Sequence, residues 1–164
     1  MKKFFAKLSV NAVILFAAGI TRAQEFENIT FTNRTFIAAS FINDSEGWLA
    51  DNNSKLWHTV NAAQTWDSVT VSKNFVLLQF ISSTNGFALT SNAAYKTSNG
   101  DQSWSELSMP QNVRAKAIYF LDANTGYLGS YGNIFKTADG GASWSSAEIE
   151  GVNILDFYFT GSSS

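Results

Sequence analysis

Short apolar runs recur along the chain, separated by stretches rich in Ser, Asp and Asn. FIAASF, NFVLLQF, KAIYF and NILDFYF end at Phe41, Phe80, Phe120 and Phe159, which are 39, 40 and 39 residues apart. Two further columns keep the same period: Gly47, Gly86 and Gly126 at 39 and 40, and Trp66, Trp104 and Trp144 at 38 and 40. A fixed period of this length marks a repeat architecture, so it takes precedence over strand-by-strand reading.

Each unit follows one plan. The apolar run ends in Phe, a polar turn follows, and the chain resumes at Gly47-Trp48, Gly86-Phe87 or Gly126-Tyr127. After a second turn come Trp57-His58-Thr59, Tyr95-Lys96-Thr97 and Phe135-Lys136-Thr137, and after a third turn the repeated Trp opens a last short strand. Turn signals at this spacing predict four strands of about 4–7 residues per unit. Four strands in about 40 residues is the arithmetic of a β-propeller blade.

The predicted fold is therefore all-β, a partial propeller of about three four-stranded antiparallel blades. They are expected over 34–72, 73–111 and 112–151, with the start of a next blade at 152–164. Residues 26–36, FENITFTNRTF, resemble WDSVTVSKNF at 66–75, so 24–33 reads as an orphan closing strand. Three units do not close a ring, because propellers use four or more blades. The reading predicts a longer reading frame or a product that associates, as an oligomer or an aggregate, through unpaired strand edges.

The third turn carries the most specific motif. Thr137-Ala138-Asp139-Gly140-Gly141-Ala142-Ser143-Trp144 is a complete Ser/Thr-x-Asp-x-Gly-x-x-Trp, and it resembles the Asp-box, or BNR repeat. The copy at Thr97, Asn99 and Trp104 has Asn for Asp, and the copy at Thr59, Asn61 and Trp66 also lacks the glycines. Gly tolerates positive φ, Asp or Asn bonds backbone N–H groups ahead of it, and Trp pins the turn to the sheet. The structural turn set is thus Thr59, Asn61, Trp66, Thr97, Asn99, Trp104, Thr137, Asp139, Gly141 and Trp144.

Over roughly Phe36 to Phe159, the spacing Phe-x5-Gly-aromatic followed by Thr-x-Asp-Gly-Gly-x-Ser-Trp resembles the photosystem II stability/assembly factor type of exported propeller. That resemblance implies a non-catalytic module for protein binding or assembly. The chain departs from the photosynthetic members in lacking an arginine-rich face, since its exported part holds only Arg34 and Arg114. The alternative is a glycan-binding or sialidase/glycosidase-type propeller, with a cell-surface glycan in place of a protein partner.

Residues 1–23 have the anatomy of a signal peptide: Met1-Lys2-Lys3, an apolar core from Val10 to Ile20, then Thr21-Arg22-Ala23. The apolar core is about half the length of a bilayer-spanning helix. The expectation is export to the periplasm, cell surface or medium, with no membrane span after cleavage.

Composition narrows the chemistry. The 164 residues include no Cys, which excludes disulfides, Cys-ligated zinc and thiol catalysis. Four of the 11 basic residues precede residue 23 and all 13 acids follow it, so the exported part has a net charge of −6. That balance excludes nucleic acid as a partner. No cofactor or metal is expected: His58 is the only His and reads as an exposed side chain beside an outer turn. Asp122-x-Asn124-x-Gly126 mimics a calcium loop, yet its counterparts at Asn43 and Ser82 mark it as a repeated turn. A sialidase needs three arginines on the substrate carboxylate, a set that Arg34 and Arg114 cannot supply. No catalytic residue is assigned.

Overall fold

The computed structural model describes residues 34–159. They form three four-stranded antiparallel sheets, each a meander in chain order. The first holds β1 (Phe36–Phe41), β2 (Gly47–Asp51), β3 (Lys55–Thr59) and β4 (Asp67–Thr70). The second holds β5 (Leu77–Phe80), β6 (Gly86–Leu89), β7 (Ala94–Thr97) and β8 (Ser105–Glu106). The third holds β9 (Ala117–Phe120), β10 (Gly126–Gly129), β11 (Tyr131–Thr137) and β12 (Ser145–Asn153). The chain is thus a partial β-propeller of three blades. Its predicted signal peptide and closing strand, 1–23 and 24–33, lie outside the described residues. Among the described residues no helix is long and apolar enough to cross a membrane.

The first strand of each sheet packs on the first strand of the next, β1 on β5 and β5 on β9. The core accordingly lies between blades. Trp48, Ala50, Leu56, Phe75, Leu78, Phe80 and Ala88 fill the space between blades one and two. Phe87, Leu89, Leu107, Ile118, Phe120, Leu128 and Phe135 fill that between two and three. Burial at these seams replaces the disulfides the chain lacks.

The periodic columns explain the seams. The aromatic after each repeated Gly stacks on the repeated Phe of the following blade: Trp48 on Phe80 at 3.7 Å and 8°, and Phe87 on Phe120 at 3.5 Å and 3°. Within each blade the same Phe meets the repeated Trp edge-on, at 6.4 Å for Phe41–Trp66, 5.9 Å for Phe80–Trp104 and 6.2 Å for Phe120–Trp144. Phe80 and Phe120 therefore each link their own third turn to the preceding blade. The residue before it adds a polar latch. Ser40 Oγ accepts from Phe80 N at 2.7 Å, and Gln79 clasps Phe120, accepting from its N at 2.7 Å and donating to its O at 2.9 Å.

Strand lengths differ from the expected 4–7 residues at two places. β8 has only two residues, with Leu107 N still donating to Ala94 O at 2.8 Å before the chain leaves the sheet. β12 has nine, because Gly132 and Gly151, both at positive φ, let the register jump from Asn133↔Glu148 to Tyr131↔Asn153. Residues 154–159 follow without joining a sheet.

Candidate functional site

The ten turn residues fall into three separate clusters, one per blade, with the same wiring. In blade three Thr137 Oγ1 donates to Asp139 Oδ1 at 2.7 Å and accepts from Gly141 N at 2.9 Å. Asp139 Oδ1 accepts from Ala142 N and Ser143 N at 3.0 and 2.9 Å. The hydrogen bonds from the Ser143 hydroxyl and amide, then from Thr137, hold the Asp139 carboxyl below the usual carboxylate range. Asn61 and Asn99 accept in the same way from Thr65 N and Ser103 N, at 2.9 and 3.1 Å, and add an Nδ2 donation to each hydroxyl at 2.9 Å. The glycine-free copy keeps the same backbone, with Ala62 and Ala63 at φ 56° and 66° beside 69° and 86° for Gly140 and Gly141.

Each third turn is tied to the first turn of its blade. Ala62 N donates to Ser45 O, Gly100 N to Thr84 O and Gly140 N to Asn124 O, at 2.9, 2.8 and 2.8 Å. The first turns are themselves side-chain-capped: Asp122 Oδ1 accepts from Asn124 N at 2.7 Å and Thr125 N at 2.8 Å. These bonds, Thr125 first, lower the Asp122 pKa. Asn43 and Ser82 make the same pair of bonds, so the calcium-loop lookalike is a turn cap. Among the described residues no group of three or more His, Asp or Glu is placed to hold a metal ion.

His58 corrects one expectation. It is half-buried rather than exposed, because its ring stacks on Trp48 at 4.3 Å and 8°. Nε2 lies 3.2 Å from Glu46 Oε1, and Nδ1 faces Asp101 in the third turn of blade two at 3.9 Å. Ser83 Oγ donates to the other oxygen of Glu46 at 2.9 Å, again across the seam. Lys96, in the same column, reaches the third turn of blade three, donating Nζ to Gly140 O at 3.0 Å. The column thus links the third turns of blades two and three to the blade before each.

Arg34 and Arg114 are not brought together. Arg34 Nη1 donates to Asp51 Oδ2 at 2.8 Å, while Arg114 is exposed in the link from β8 to β9. The Asp51 carboxylate, with no exposed side-chain surface, also accepts from Asn53 N, Lys55 N and Trp57 Nε1 at 2.8, 2.9 and 3.1 Å. Burial pushes its pKa up, but these hydrogen bonds outweigh it and hold the carboxyl below its ordinary value. Asp51 was not singled out by the motif, since its column holds Thr90 and Ser130 in the other blades.

A second surface was also missed by motif reading. Ile37, Val76, Lys116 and Leu155 occupy equivalent positions at the entry to successive first strands, and all four are exposed. The three apolar members expose 41, 48 and 67% of their surface, on first-strand segments that adjoin one another from blade to blade. Column alignment on the repeated Phe would have found them. The first-strand segments 36–41, 75–80, 115–120 and 154–159 carry one carboxylate, Asp156. A shallow depression on blade three, bordered by Tyr131, Asn133, Glu148 and Glu150, lies at the β11–β12 bulge.

No family model and no curated protein matches the sequence. Solved propellers do match the structure. A YCF48 structure bound to D1 peptide superposes with a TM-score of 0.61 and 25% identity, covering 71% of this chain and 42% of that one. YCF48 from Cyanidioschyzon merolae gives 0.60 and 19%, over 71% of this chain and 38% of that one. A GH74 enzyme from Niastella koreensis gives 0.56 and 19%, over 72% of this chain and 23% of that one. The chain spans about two fifths of the length of the two YCF48 chains.

Proposed function

We propose that this protein is an exported, non-catalytic binding or assembly module of the Asp-box propeller type, which takes an extended segment of a protein partner along its inner strands. The observation that carries this reading is the exposed column Ile37, Val76, Lys116 and Leu155 on successive first strands. Exposed apolar side chains in line suit an extended apolar peptide, and Lys116 adds a positive point for a carboxylate or a backbone carbonyl. The YCF48 structure bound to D1 peptide supports a peptide as the class of partner, and its likeness supports the photosystem II stability/assembly factor resemblance.

The GH74 likeness supports the rival reading, a glycan-binding or glycosidase propeller. Glycoside hydrolysis needs two carboxyl groups facing one bond. The single Asp156 on the described first-strand segments argues against that chemistry on these blades.

Selection of a displayed peptide library on the purified protein, followed by fluorescence polarisation, tests the proposal. Extended apolar peptides are expected to bind, and Val76→Asp to weaken them about tenfold or more with the thermal midpoint retained. Release of reducing ends from a polysaccharide panel, abolished by Asp156→Asn, would overturn it.

A further inference from the structure

The two seams between blades carry different chemistry in one column. Between blades two and three the column residue is Lys96, a permanent cation, whose Nζ donates to Gly140 O at 3.0 Å. Between blades one and two it is His58, a side chain whose charge depends on pH. The His58 ring lies flat on Trp48, which lies flat on Phe80 of blade two. Stacking fixes the ring plane, and with it the directions of both ring nitrogens. Nε2 is 3.2 Å from Glu46 Oε1 in its own blade, and Nδ1 is 3.9 Å from Asp101 Oδ2 in blade two. Ser83, also of blade two, donates to the other Glu46 oxygen, and Asp67 on β4 is the cross-strand partner of His58.

Counting protons shows what this arrangement can do. A neutral imidazole has one N–H and one lone pair, whereas ionised carboxylates only accept. Neutral His58 therefore bonds one of its two carboxylates and turns a lone pair toward the other. One contact is at hydrogen-bond distance, and the other, across the seam, is longer than a hydrogen bond. An imidazolium donates from both nitrogens, and its charge is drawn to the face of Trp48 as well. The side chains of His58, Glu46 and Asp101 are only 24, 16 and 21% exposed, so solvent screens these contacts in part. The charged groups around the ring are thus Glu46 at the entry to β2, Asp67 on β4 and Asp101 of blade two. Among the described residues no Lys or Arg forms an ion pair with any of the three.

We propose that His58 is a proton-operated latch on the seam between blades one and two: its protonation closes a second charge-assisted contact, to Asp101, and its deprotonation releases that contact. The seam between blades two and three, held by the permanent charge of Lys96, lacks this response. The proton belongs to the latched state. Its contribution is therefore full below the ordinary histidine pKa of about 6.5 and is lost as pH rises above it. The carboxylates stay ionised through this window, because their ordinary values lie near about 4. The latch does not rest on the peptide partner proposed above.

The chain holds one His and no Cys, so no other side chain ordinarily changes charge between about pH 5.5 and 8. Two backbone amides report on the two seams: Phe80 N donates across the first to Ser40 Oγ, and Phe120 N across the second to Gln79 Oε1. Amide hydrogen exchange of the purified full-length protein, read by nuclear magnetic resonance, compares their protection factors. From about pH 8 to 5.5 the protection of Phe80 relative to Phe120 is expected to rise about threefold or more. His58→Lys, which installs the residue of the other two blades, should hold that ratio constant. Asp101→Asn, in a surface turn, should flatten it without removing the fold. A ratio independent of pH in the unmodified protein, or the same rise in either variant, would overturn the proposal.

Discussion

The ring of Phe120 lies over the backbone of Gly126, so close that a Cβ there would come to 2.5 Å from Phe120 Cδ1. The glycine column is therefore a demand of packing. Gly126 is buried, and none of Gly47, Gly86 and Gly126 has positive φ.

Gly126→Ala is expected to destabilise the fold by about 1–3 kcal/mol through overpacking. In a Phe120→Leu background the same substitution should have a smaller effect, because the smaller side chain withdraws from the backbone. Urea denaturation of the two single variants and the double variant reads this coupling. Strict additivity would mean that Phe120 is not the neighbour that excludes a Cβ.

Ala62 and Ala63 both hold left-handed backbone, at φ 56° and 66°. An L-residue there is strained by roughly 1–2 kcal/mol, and Gly relieves the strain while adding entropy to the unfolded chain. Ala63→Gly is expected to raise stability by about 0.5–1 kcal/mol, moving the third turn of blade one toward the sequence of its counterpart in blade three. A lowered midpoint in thermal denaturation would contradict the turn geometry.

Asp51 gathers four donors within 3.1 Å in a site closed to solvent. Asp51→Ala leaves Arg34 and the half-buried Trp57 N–H without this acceptor, and should lower stability by about 3 kcal/mol. Asp51→Asn keeps the acceptor oxygen and should lose less. Because the folded carboxyl titrates below its unfolded value, its contribution is full above about pH 4 and fades as pH falls through the folded value. Wild-type stability measured from pH 7 down to 3 should therefore fall more steeply than that of Asp51→Asn.

Asp139 follows the same sign, since its carboxyl is also held down by the turn. Asn does the same work at positions 61 and 99. Asp139→Asn is expected to leave the thermal midpoint at neutral pH nearly unchanged, to reduce its decline below about pH 4, and to outperform Asp139→Ala. Equal losses for the Asn and Ala variants would show that the side-chain acceptor is not what fixes the turn.

The period of the Phe, Gly and Trp columns made the three-blade architecture legible, because each column serves a contact that every blade must make. Phe41, Phe80 and Phe120 meet the repeated Trp of their own blade. The seam latches were harder to see. Ser40 and Gln79 perform the same bond with different chemistry, so identity along the column is lost while function is kept. His58 read as exposed because its position suggested an outer turn, whereas the flat ring of Trp48 gave it a surface to stack on. Asp51 was invisible because only blade one uses a carboxylate in the second turn. The exposed column at Ile37, Val76 and Leu155 carries no motif at all, since apolar residues in a strand ordinarily signify core.

The central claim is that the repeated residues build one inter-blade contact used again at each seam. Ring-to-ring nuclear Overhauser effects on protein with selectively labelled aromatics test it most directly. The account predicts cross-peaks between Trp48 and Phe80, between Phe87 and Phe120, and between Tyr127 and Phe159, all on pairs with centroids within 5.2 Å. Absence of the first two, with Phe41–Trp66 and Phe120–Trp144 contacts intact, would show independent sheets and contradict the propeller seam.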